Sequence, residues 1–450
     1  MFTLTMRRCK WAATLVWLSK IMFIPFVPAP RWREAKNQAG VVAAINSKRK
    51  AGILLTSLLL MTFAAIAQQP DTTYHKREIP ATEIEILYNM YHQDGDHSAV
   101  TGGIGTEKLT IYAPGVDVTF NGEKSSFNLN MGADVITSAS TDNIDFAISS
   151  ASYIDMRSHT DIHYSRQVSK TTQVGIGTGF SLESDYLSFP FRADLYWSAP
   201  DKLREFQASF AYIHDDLRWG RLNPDYKRPV TLVYPYELRY KQWFDIYNRY
   251  SYNFKTGYSQ VINQRLRVGI FPELIIQTGL LSTPFHRVYF ANDSLKVENL
   301  PQSRTRIPIG IKANYFAGGS TVLKGSYQFY SDNFGISAHT LQLESVFKVK
   351  HTLGFSPFVK VYTQTGSKYF KPYAQHDPAE VYYSSDYDLS EIETIQLGLG
   401  FRWAPFANLA RNFLFDEINL RYSYLKRSDG LYAHLMSAAF RFSRNKVNNR

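Results

Sequence analysis

Apolar and polar residues alternate along much of this chain, and segment 393–403, which reads E-T-I-Q-L-G-L-G-F-R-W, shows the pattern clearly. Successive side chains of a β-strand leave opposite faces of the sheet. Leu397 and Leu399 would therefore share one face, and Gln396 and Gly398 the other. Strands of about ten residues with one apolar face are typical of a transmembrane β-barrel, in which one face meets lipid and the other meets water.

Sixteen segments share this pattern and predict an all-β fold, a transmembrane antiparallel up-and-down β-barrel of about 16 strands. An even number of strands brings both ends of the barrel to one side, as in bacterial outer-membrane barrels. The predicted strands are 83–93, 108–120, 125–137, 156–168, 173–183, 186–198, 205–215, 246–261, 264–278, 304–316, 321–332, 336–349, 355–365, 393–403, 416–425 and 431–442.

The links between these segments alternate in length, as expected for long extracellular loops and short periplasmic turns. The link 405–415 is a longer one on the periplasmic side, and we expect one helical turn there. The long links are 94–107, 138–155, 216–245, 279–303 and 366–392, and the short ones include 121–124, 169–172, 199–204, 317–320 and 350–354.

Composition separates this fold from its alternatives. No run of about twenty apolar residues follows Gln68, so helical spans are excluded from the body of the chain. Aromatic residues make up 15% of the chain, which suits the aromatic girdles of a membrane barrel. A water-soluble β-sandwich would also alternate, but its strands usually contain only about five or six residues.

The N-terminal region predicts export. Residues 48–67 have a basic start, an apolar core and small residues before Gln68, which is the pattern of a secretory signal peptide cleaved near Ala67. A retained membrane anchor is the alternative. The expected location is the outer membrane of a Gram-negative bacterium. The other segments are an upstream leader or misassigned start at 1–47, a periplasmic N-terminal lead at 68–82, the outer-membrane β-barrel at 83–443 and a basic tail at 444–450.

Charge and cysteine content exclude two classes of function. The whole chain has a formal net charge of +11, but residues 1–67 carry 10 Lys and Arg against one acidic residue. The remaining chain has 40 basic and 38 acidic residues, so binding to nucleic acid has no electrostatic support. Cys9 is the only cysteine and precedes the cleavage site, which excludes disulfides and thiolate metal sites from the mature protein.

Polar residues on the predicted inward faces are candidates for the lumen lining. In segment 156–168 the inward register carries His159, Asp161 and His163, with alternate residues roughly 6 to 7 Å apart. Two imidazoles on one strand would share a metal only with help from another strand. Mixed charges in a lumen fit either a screened channel or a plug of salt bridges. The other predicted lumen-lining residues are Arg192, Asp194, Glu344 and Lys360.

The Gly-rich link 94–107, D-G-D-H-S-A-V-T-G-G-I-G-T-E, is the most distinctive segment. Its glycines permit tight backbone conformations, and its oxygen-bearing side chains are of the type that Ca²⁺ prefers. The link 138–155 begins two strand spacings away, about 10 Å, so acids from both links would repel unless a cation neutralised them. A rim without a ligand is the alternative. The predicted rim site for Ca²⁺ consists of Asp94, Asp96, Glu107, Asp142 and Asp145.

The same link also suggests an outer-membrane hydrolase. Asp94, Asp96, His97 and Ser98 include an Asp/His set that would activate water and a His/Ser pair that would act as a nucleophile. Adjacent positions in a Gly-rich loop do not establish the geometry that either mechanism needs. A barrel without enzymatic activity is therefore the favoured interpretation.

Several motifs resemble those of an uncharacterised bacterial family, catalogued only as a domain of unknown function, whose members look like secreted outer-membrane β-barrel proteins. The resemblance spans nearly the whole mature chain and implies no known activity, cofactor or catalytic residue. The motifs are D-G-D-H-S-A-V-T-G-G-I-G-T-E (94–107), D-V-I-T-S-A-S-T-D-N-I-D (134–145), S-S-A-S-Y-I-D (149–155), H-R-V-Y-F (286–290) and Y-Y-S-S-D-Y (382–387).

Three functions remain open at this point: a porin-like channel or binding protein for a small solute, an outer-membrane hydrolase, and a sealed structural barrel. A barrel of about sixteen strands can leave an aqueous lumen, which favours the first. The expected partners are outer-membrane lipid, a small solute and the barrel-assembly machinery. The last is suggested by Phe440 and Phe442, which resemble the terminal aromatic signal of outer-membrane barrels.

We expect cleavage after Ala67, because the small residues at 65 and 67 follow an apolar core. Sequencing of the mature N-terminus from isolated outer membranes should begin at Gln68. A protein recovered in the cytoplasm, or one that starts upstream of Lys48, would contradict the export prediction.

Overall fold

The computed structural model describes residues 80–138, 154–183, 186–217, 248–283, 286–410 and 412–444. The predicted leader and signal peptide lie outside them, as does the predicted tail apart from Arg444, which belongs to the last strand. No helix in these ranges is long and apolar enough to cross a membrane. The strands are β1 (Thr82–Asp94), β2 (Leu109–Asn121), β3 (Ser125–Ser138), β4 (Ile154–Gln167), β5 (Thr172–Leu182), β6 (Leu187–Ser198), β7 (Arg204–Asp216), β8 (Asn248–Asn263), β9 (Leu266–Gly279), β10 (Arg287–Tyr289), β11 (Leu295–Val297), β12 (Ser303–Gly318), β13 (Thr321–Asp332), β14 (Ser337–Lys350), β15 (Leu353–Gln364), β16 (Ile392–Trp403), β17 (Ala407–Ala410), β18 (Phe413–Arg427) and β19 (Tyr432–Arg444).

The long strands form a closed ring. Each one pairs antiparallel with its neighbours in chain order, and β1 also pairs with β19, from Thr82 opposite Arg444 to Asp94 opposite Tyr432. Leaving aside the short β10, β11 and β17, sixteen strands of the described ranges make up the wall. This confirms the predicted transmembrane antiparallel β-barrel, and each predicted strand coincides with an observed one to within a few residues.

The two faces of the wall differ as the alternation predicts. On β16, Leu397 and Leu399 are 38% and 50% exposed on the outer surface. Gln396, of the opposite parity, points inward and donates a hydrogen bond from Nε2 to Ser423 Oγ at 2.8 Å. An apolar outer face is what contact with lipid requires.

The connections at the two ends of the barrel differ in length. Three long ones at the same end, called the loop end below, are loop A (95–108), loop B (280–302, described except for 284–285) and loop C (365–391). Loop B contains the hairpin of β10 and β11, and loop C contains a 3-10 turn at Tyr387–Leu389. Short turns such as 122–124 and 319–320 close the opposite end, called the turn end.

The helical turn expected at 405–415 was wrong. The segment forms β17, which pairs with the start of β18. Asn412 takes a φ of 66°, a left-handed conformation that asparagine tolerates better than most residues, and this reverses the chain. Backbone groups on both sides of the turn therefore pair with each other as strands, and not within a helix.

Arginine at an outward position should destabilise the barrel far more than arginine at an inward one. We expect Leu399→Arg to cost roughly 2 to 4 kcal/mol if the site is near the bilayer midplane, because a charge would then face hydrocarbon. Gln396→Arg places its charge in the lumen and should have a much smaller effect. Urea titration of folding into lipid vesicles measures both, and the opposite ranking would mean that the faces are reversed.

Candidate functional site

Loop A packs directly on loops B and C through a pair of glycines. Gly102 and Gly103 have φ values of 83° and 87°, which favour glycine, and neither has room for a side chain. A Cβ on Gly102 would lie 2.6 Å from the ring of Tyr289 in loop B, and one on Gly103 would lie 2.8 Å from the carbonyl oxygen of Ser385 in loop C. The close approach of the three loops therefore depends on these two glycines.

The contact between loops A and B crosses the mouth of the barrel. Loop A joins β1 to β2, and loop B joins β9 to β12. These connections lie half of the ring apart, because eight of the sixteen wall strands separate them in either direction. Loops that start from opposite walls can touch only above the lumen. Together, loops A, B and C form a cap over the mouth.

The cap has its own apolar core. Val288 and Phe290 of loop B are fully buried, and Tyr383 of loop C packs against them. Burying side chains of this size stabilises a fold by about 1.5 to 3 kcal/mol each. The backbones of loops B and C also pair, since Asn299 and Tyr383 exchange N–H···O hydrogen bonds of 3.1 and 2.8 Å. The cap is thus a folded element and not a set of solvated loops.

Two rings tie the remaining parts of the cap together. The imidazole of His97 in loop A stacks on the ring of Tyr387 in loop C, with centroids 3.8 Å apart and planes 7° apart. His376 is fully buried, with Nε2 at 3.0 Å from the Ser384 carbonyl oxygen and Nδ1 at 2.5 Å from a carboxylate oxygen of Glu380. His97 is thus held by the Tyr387 ring, and His376 is held by Ser384 and Glu380.

A polar cluster lies inside the cap, formed by His286, Glu298 and Asp386. His286 Nδ1 is 3.6 Å from Glu298 Oε1 and 3.7 Å from Asp386 Oδ2. Within the described part of the chain, it is the one group of three His, Cys, Asp or Glu side chains whose ligand atoms all lie within 4.8 Å. One imidazole and two carboxylates are common ligands of divalent metal ions.

The local fold explains how these three side chains meet. His286 precedes β10 and Glu298 follows β11, so the two residues stand side by side at the open end of the hairpin, where Glu298 N donates to His286 O at 3.0 Å. Asp386 precedes the 3-10 turn and accepts a hydrogen bond from the backbone N–H of Asp388 at 2.9 Å. The hairpin and the turn thus present the cluster from two loops.

Burial and neighbouring charges shift the pKa values of His286 and Asp386 in opposite directions. Burial lowers the pKa of His286, but the neighbouring Glu298 and Asp386 carboxylates outweigh it and raise that pKa to about 9. Burial raises the pKa of Asp386 to about 6, although the His286 cation opposes the shift. Burial, together with the negative charge of Asp388, raises the pKa of Glu107 in loop A to about 7. At neutral pH a charged imidazole therefore lies beside two carboxylates, of which Glu298 is buried and Asp386 is partly exposed.

Asp94, Asp96 and Glu107, the predicted rim residues that the structure describes, do not bring their carboxylates together within 4.8 Å. Asp94 is 3.7 Å from Lys108 Nζ, and Asp96 is exposed to solvent. Glu107 is half-buried, and its carbonyl oxygen accepts from Gln93 Nε2 at 3.5 Å. The remaining predicted ligands lie outside the described residues, so the Ca²⁺ site stays a prediction. They are Asp142 and Asp145.

The side chains of His97 and Ser98 are not arranged as the predicted His/Ser nucleophile of a hydrolase requires. His97 Nδ1 is 3.0 Å from the carbonyl oxygen of Gly103, and its ring is covered by Tyr387. Ser98 is only 2% exposed. The Ser98 hydroxyl is therefore not accessible to a substrate in solvent, whereas Asp96 is exposed, and the hydrolase stays a prediction.

The predicted lumen residues of β4 and β6 form ion pairs along the wall. His163 Nε2 lies 2.7 Å from Asp194 Oδ2, and Arg192 Nη1 lies 2.9 Å from Asp161 Oδ1. Both pairs cross the intervening strand β5, whose inward positions are occupied by glycines. A Cβ on Gly175 would lie 2.2 Å from Asp194 Oδ2. The glycines thus make space for charges from the two flanking strands to meet.

Glu344 belongs to a second wall network, on β13, β14 and β18. It accepts from Lys324 Nζ at 3.2 Å and from Arg421 Nη2 at 2.9 Å. The Arg421 guanidinium lies 4.0 Å from the centroid of the Phe358 ring, a cation–π contact. That ring lies over Gly398 of β16, where a Cβ would be 2.2 Å from it.

The last two predicted lumen residues have different surroundings. Lys360 shares the inward face of β15 with Phe358, opposite the 39% exposed Val361. The His159 ring lies against Gly132 of β3 and leaves no room for a side chain there. His159 and His163 therefore do not share a ligand position, and each is positioned by a neighbouring strand.

Sequence reasoning did not identify the His286, Glu298 and Asp386 cluster. The motifs 286–290 and 382–387 supported the family resemblance, but the resemblance implied no role for their residues. Glu298 stands outside both motifs and has no local signal. Only the pairing of loops B and C brings the three residues together. The one signal in the sequence was that polar residues of the motifs are concentrated in long loops.

Comparisons with known proteins agree with an uncharacterised family. The family described as "Protein of unknown function (DUF3570)" matches residues 146–416. A search of the curated proteins found no match.

Among solved structures, a bacterial polysaccharide outer membrane secretin matches with 7% identity and a TM-score of 0.45, over 82% of this chain and 100% of that one. A BenF-like porin from Pseudomonas fluorescens Pf-5 matches with 7% identity and a TM-score of 0.38, over 80% and 98% of the two chains. OpdK from Pseudomonas aeruginosa with vanillate matches with 6% identity and a TM-score of 0.37, also over 80% and 98%. At these values the matches carry no information about a substrate.

In protein stripped of metal ions, the cap should lose stability between neutral and alkaline pH. A histidine whose pKa is raised to about 9 contributes stability that is fully present below its ordinary value near 6.5 and is lost as the pH rises through 9. A glutamate whose pKa is raised to about 7 also favours the folded loop at lower pH. One pKa unit corresponds to about tenfold in an equilibrium. We therefore expect limited proteolysis of the cap to be at least about tenfold faster at pH 9.5 than at pH 6.5.

Cleavage rates must be corrected with an unstructured reference peptide at each pH. His286→Gln should remove most of the pH dependence, and His351→Gln, at the turn end, should preserve it. Equal corrected rates at the two pH values would show that the cluster does not control the stability of the cap.

Proposed function

The chain belongs to the DUF3570 family, whose function is unknown, and we propose that it is a capped outer-membrane channel for a small polar solute. The observation that carries this proposal is the direction of the lumenal ion pairs. All of the pairs described within the barrel join wall strands that are at most three positions apart, as Arg421 and Glu344 are. Charges paired in this way lie along the wall.

Pairs along the wall favour a channel over a sealed barrel. A plug of salt bridges would need side chains that meet across the lumen, from strands on opposite sides of the ring. The charged pairs of the described wall are instead local, which supports a lumen whose axis is left to solvent. Polar pairs of both signs present a screened surface that suits a small polar solute.

Two cavities support the same interpretation. One of about 390 Å³ is lined by Asn89, Phe358 and Arg421, and another of about 330 Å³ is lined by Lys324, Glu344 and Arg421. Arg421 lines both cavities. A channel selects its solutes by pore width and by the charges that line it.

The cap would restrict entry from the loop end, because loops from opposite walls meet above the lumen. Small solutes would pass beside the folded cap, and larger ones would be excluded. This arrangement predicts a low conductance in the native state. It also predicts that the conductance rises when the contact between loops A and C is broken.

Gly103→Ala should increase the single-channel conductance several-fold in planar lipid bilayers. The added Cβ would lie 2.8 Å from the carbonyl oxygen of Ser385, so loop A must separate from loop C. Gly318→Ala, at the turn end, is the matched control. That glycine also has a positive φ, of 102°, but a Cβ added to it would meet no atom within 4 Å. The control should conduct like the parent.

Folding of each variant can be checked by heat-modifiable migration in gels, which separates folded barrels from unfolded chains. A folded parent and a folded Gly103→Ala variant that both fail to conduct would favour a sealed barrel. Equal conductance of the parent, Gly103→Ala and Gly318→Ala would show that the cap does not restrict the channel.

A further inference from the structure

Three observations on the cluster in the cap point to a metal ion. The His286 Nδ1 atom is buried and has no hydrogen-bond partner among the described residues. Its two carboxylate neighbours, Glu298 and Asp386, lie at 3.6 and 3.7 Å, too far for hydrogen bonds. Ligands bound at about 2.0 to 2.2 Å to one tetrahedral ion lie roughly 3.3 to 3.6 Å apart. The two distances from His286 Nδ1 are close to this spacing, and all three ligand atoms lie within 4.8 Å of one another.

From this geometry we propose that His286, Glu298 and Asp386 bind one divalent transition-metal ion of the Zn²⁺ type, which ties loop B to loop C. The site is distinct from the predicted Ca²⁺ rim site, with which it shares no residue. An imidazole nitrogen favours zinc over calcium, which takes oxygen ligands. The ion displaces the proton that the imidazole carries in the metal-free cluster, and this proton is released to solvent. Three protein ligands leave a fourth position for water or for a solute.

Hydrogen bonds from neighbouring groups orient the carboxylates before a metal arrives. The side chain of Glu298 is only 2% exposed, and its oxygens accept from the backbone N–H of Thr283 at 2.7 Å and from Ser384 Oγ at 2.5 Å. Ser384 Oγ in turn accepts from the backbone N–H of Asp386 at 3.1 Å. Partners of this kind orient metal ligands and raise metal affinity in known sites.

The cluster is also accessible. The side chains of His286 and Asp386 are 20% and 25% exposed, so part of each lies at the surface of the cap. The third ligand is buried and held by the hairpin and by Ser384. A site with one fixed ligand and two accessible ones needs only small side-chain rotations to close around an ion.

Equilibrium competition with a chromogenic chelator tests the site on the full-length barrel, purified in detergent and stripped of metals. The parent should bind one equivalent of Zn²⁺ that Ca²⁺ in millimolar excess does not displace. His286→Gln and Asp386→Asn should each weaken this binding by at least about 100-fold. Ser384→Ala, which leaves all three ligands in place, should weaken it by about 10- to 100-fold.

Two control variants report on adventitious binding. His351→Gln, exposed at the turn end, and Asp377→Asn, exposed in loop C, should bind zinc like the parent. Heat-modifiable migration verifies that each variant is folded. A folded parent that binds no stoichiometric zinc, or a high-affinity equivalent that persists in both His286→Gln and Asp386→Asn, would overturn the proposal.

Protease cleavage tests separately whether the metal ion links loop B to loop C. Zinc should slow protease cleavage in loops B and C of the parent by at least about tenfold and should have no effect on His286→Gln. Cleavage that zinc leaves unchanged in a parent shown to bind it would overturn the cross-loop tie. Neither measurement depends on conductance, so the metal site and the proposed channel can fail separately.

Discussion

Lipid offers no hydrogen-bond partner to the backbone, and this constraint governs the whole structure. Every wall strand must pair on both sides, so β1 must return to β19, and it does so along its full length. Closure fixes which side chains face outward, because a shift by one residue would exchange the two faces. The apolar exterior, the polar lumen and the positions of all loops follow from this ring.

Inside the ring, charged side chains need partners of opposite charge. The positions of glycines on the inward face determine which of these partners they can contact. Glycines on the inward face of β5 let His163 and Asp194 meet across a strand, and Gly398 lets the Phe358 ring lie flat beneath Arg421. A larger side chain at either place would direct these groups toward the axis. Among the described residues, the charges of the lumen therefore pair along the wall.

The ring also determines where the long loops begin and end. Because the barrel holds the ends of loops A and B on opposite walls, a contact between them closes over the mouth. Loops B and C also pack Val288, Phe290 and Tyr383 together, and the pairing of their backbones brings polar groups of both loops close to one another. Buried carboxylates need a positive charge nearby, which His286 supplies. The cap and its polar cluster are therefore consequences of one arrangement.

The sequence by itself determined the barrel, because a period of two is a local property that each strand carries in its own residues. It determined the inward register of Asp161, His163, Asp194 and Glu344 for the same reason. Only the tertiary structure decided which of them pair, that 405–415 forms a strand, and that loops A, B and C meet. Contacts among long loops depend on where the ring holds their ends, so no spacing in the chain could place Glu298 beside His286 and Asp386.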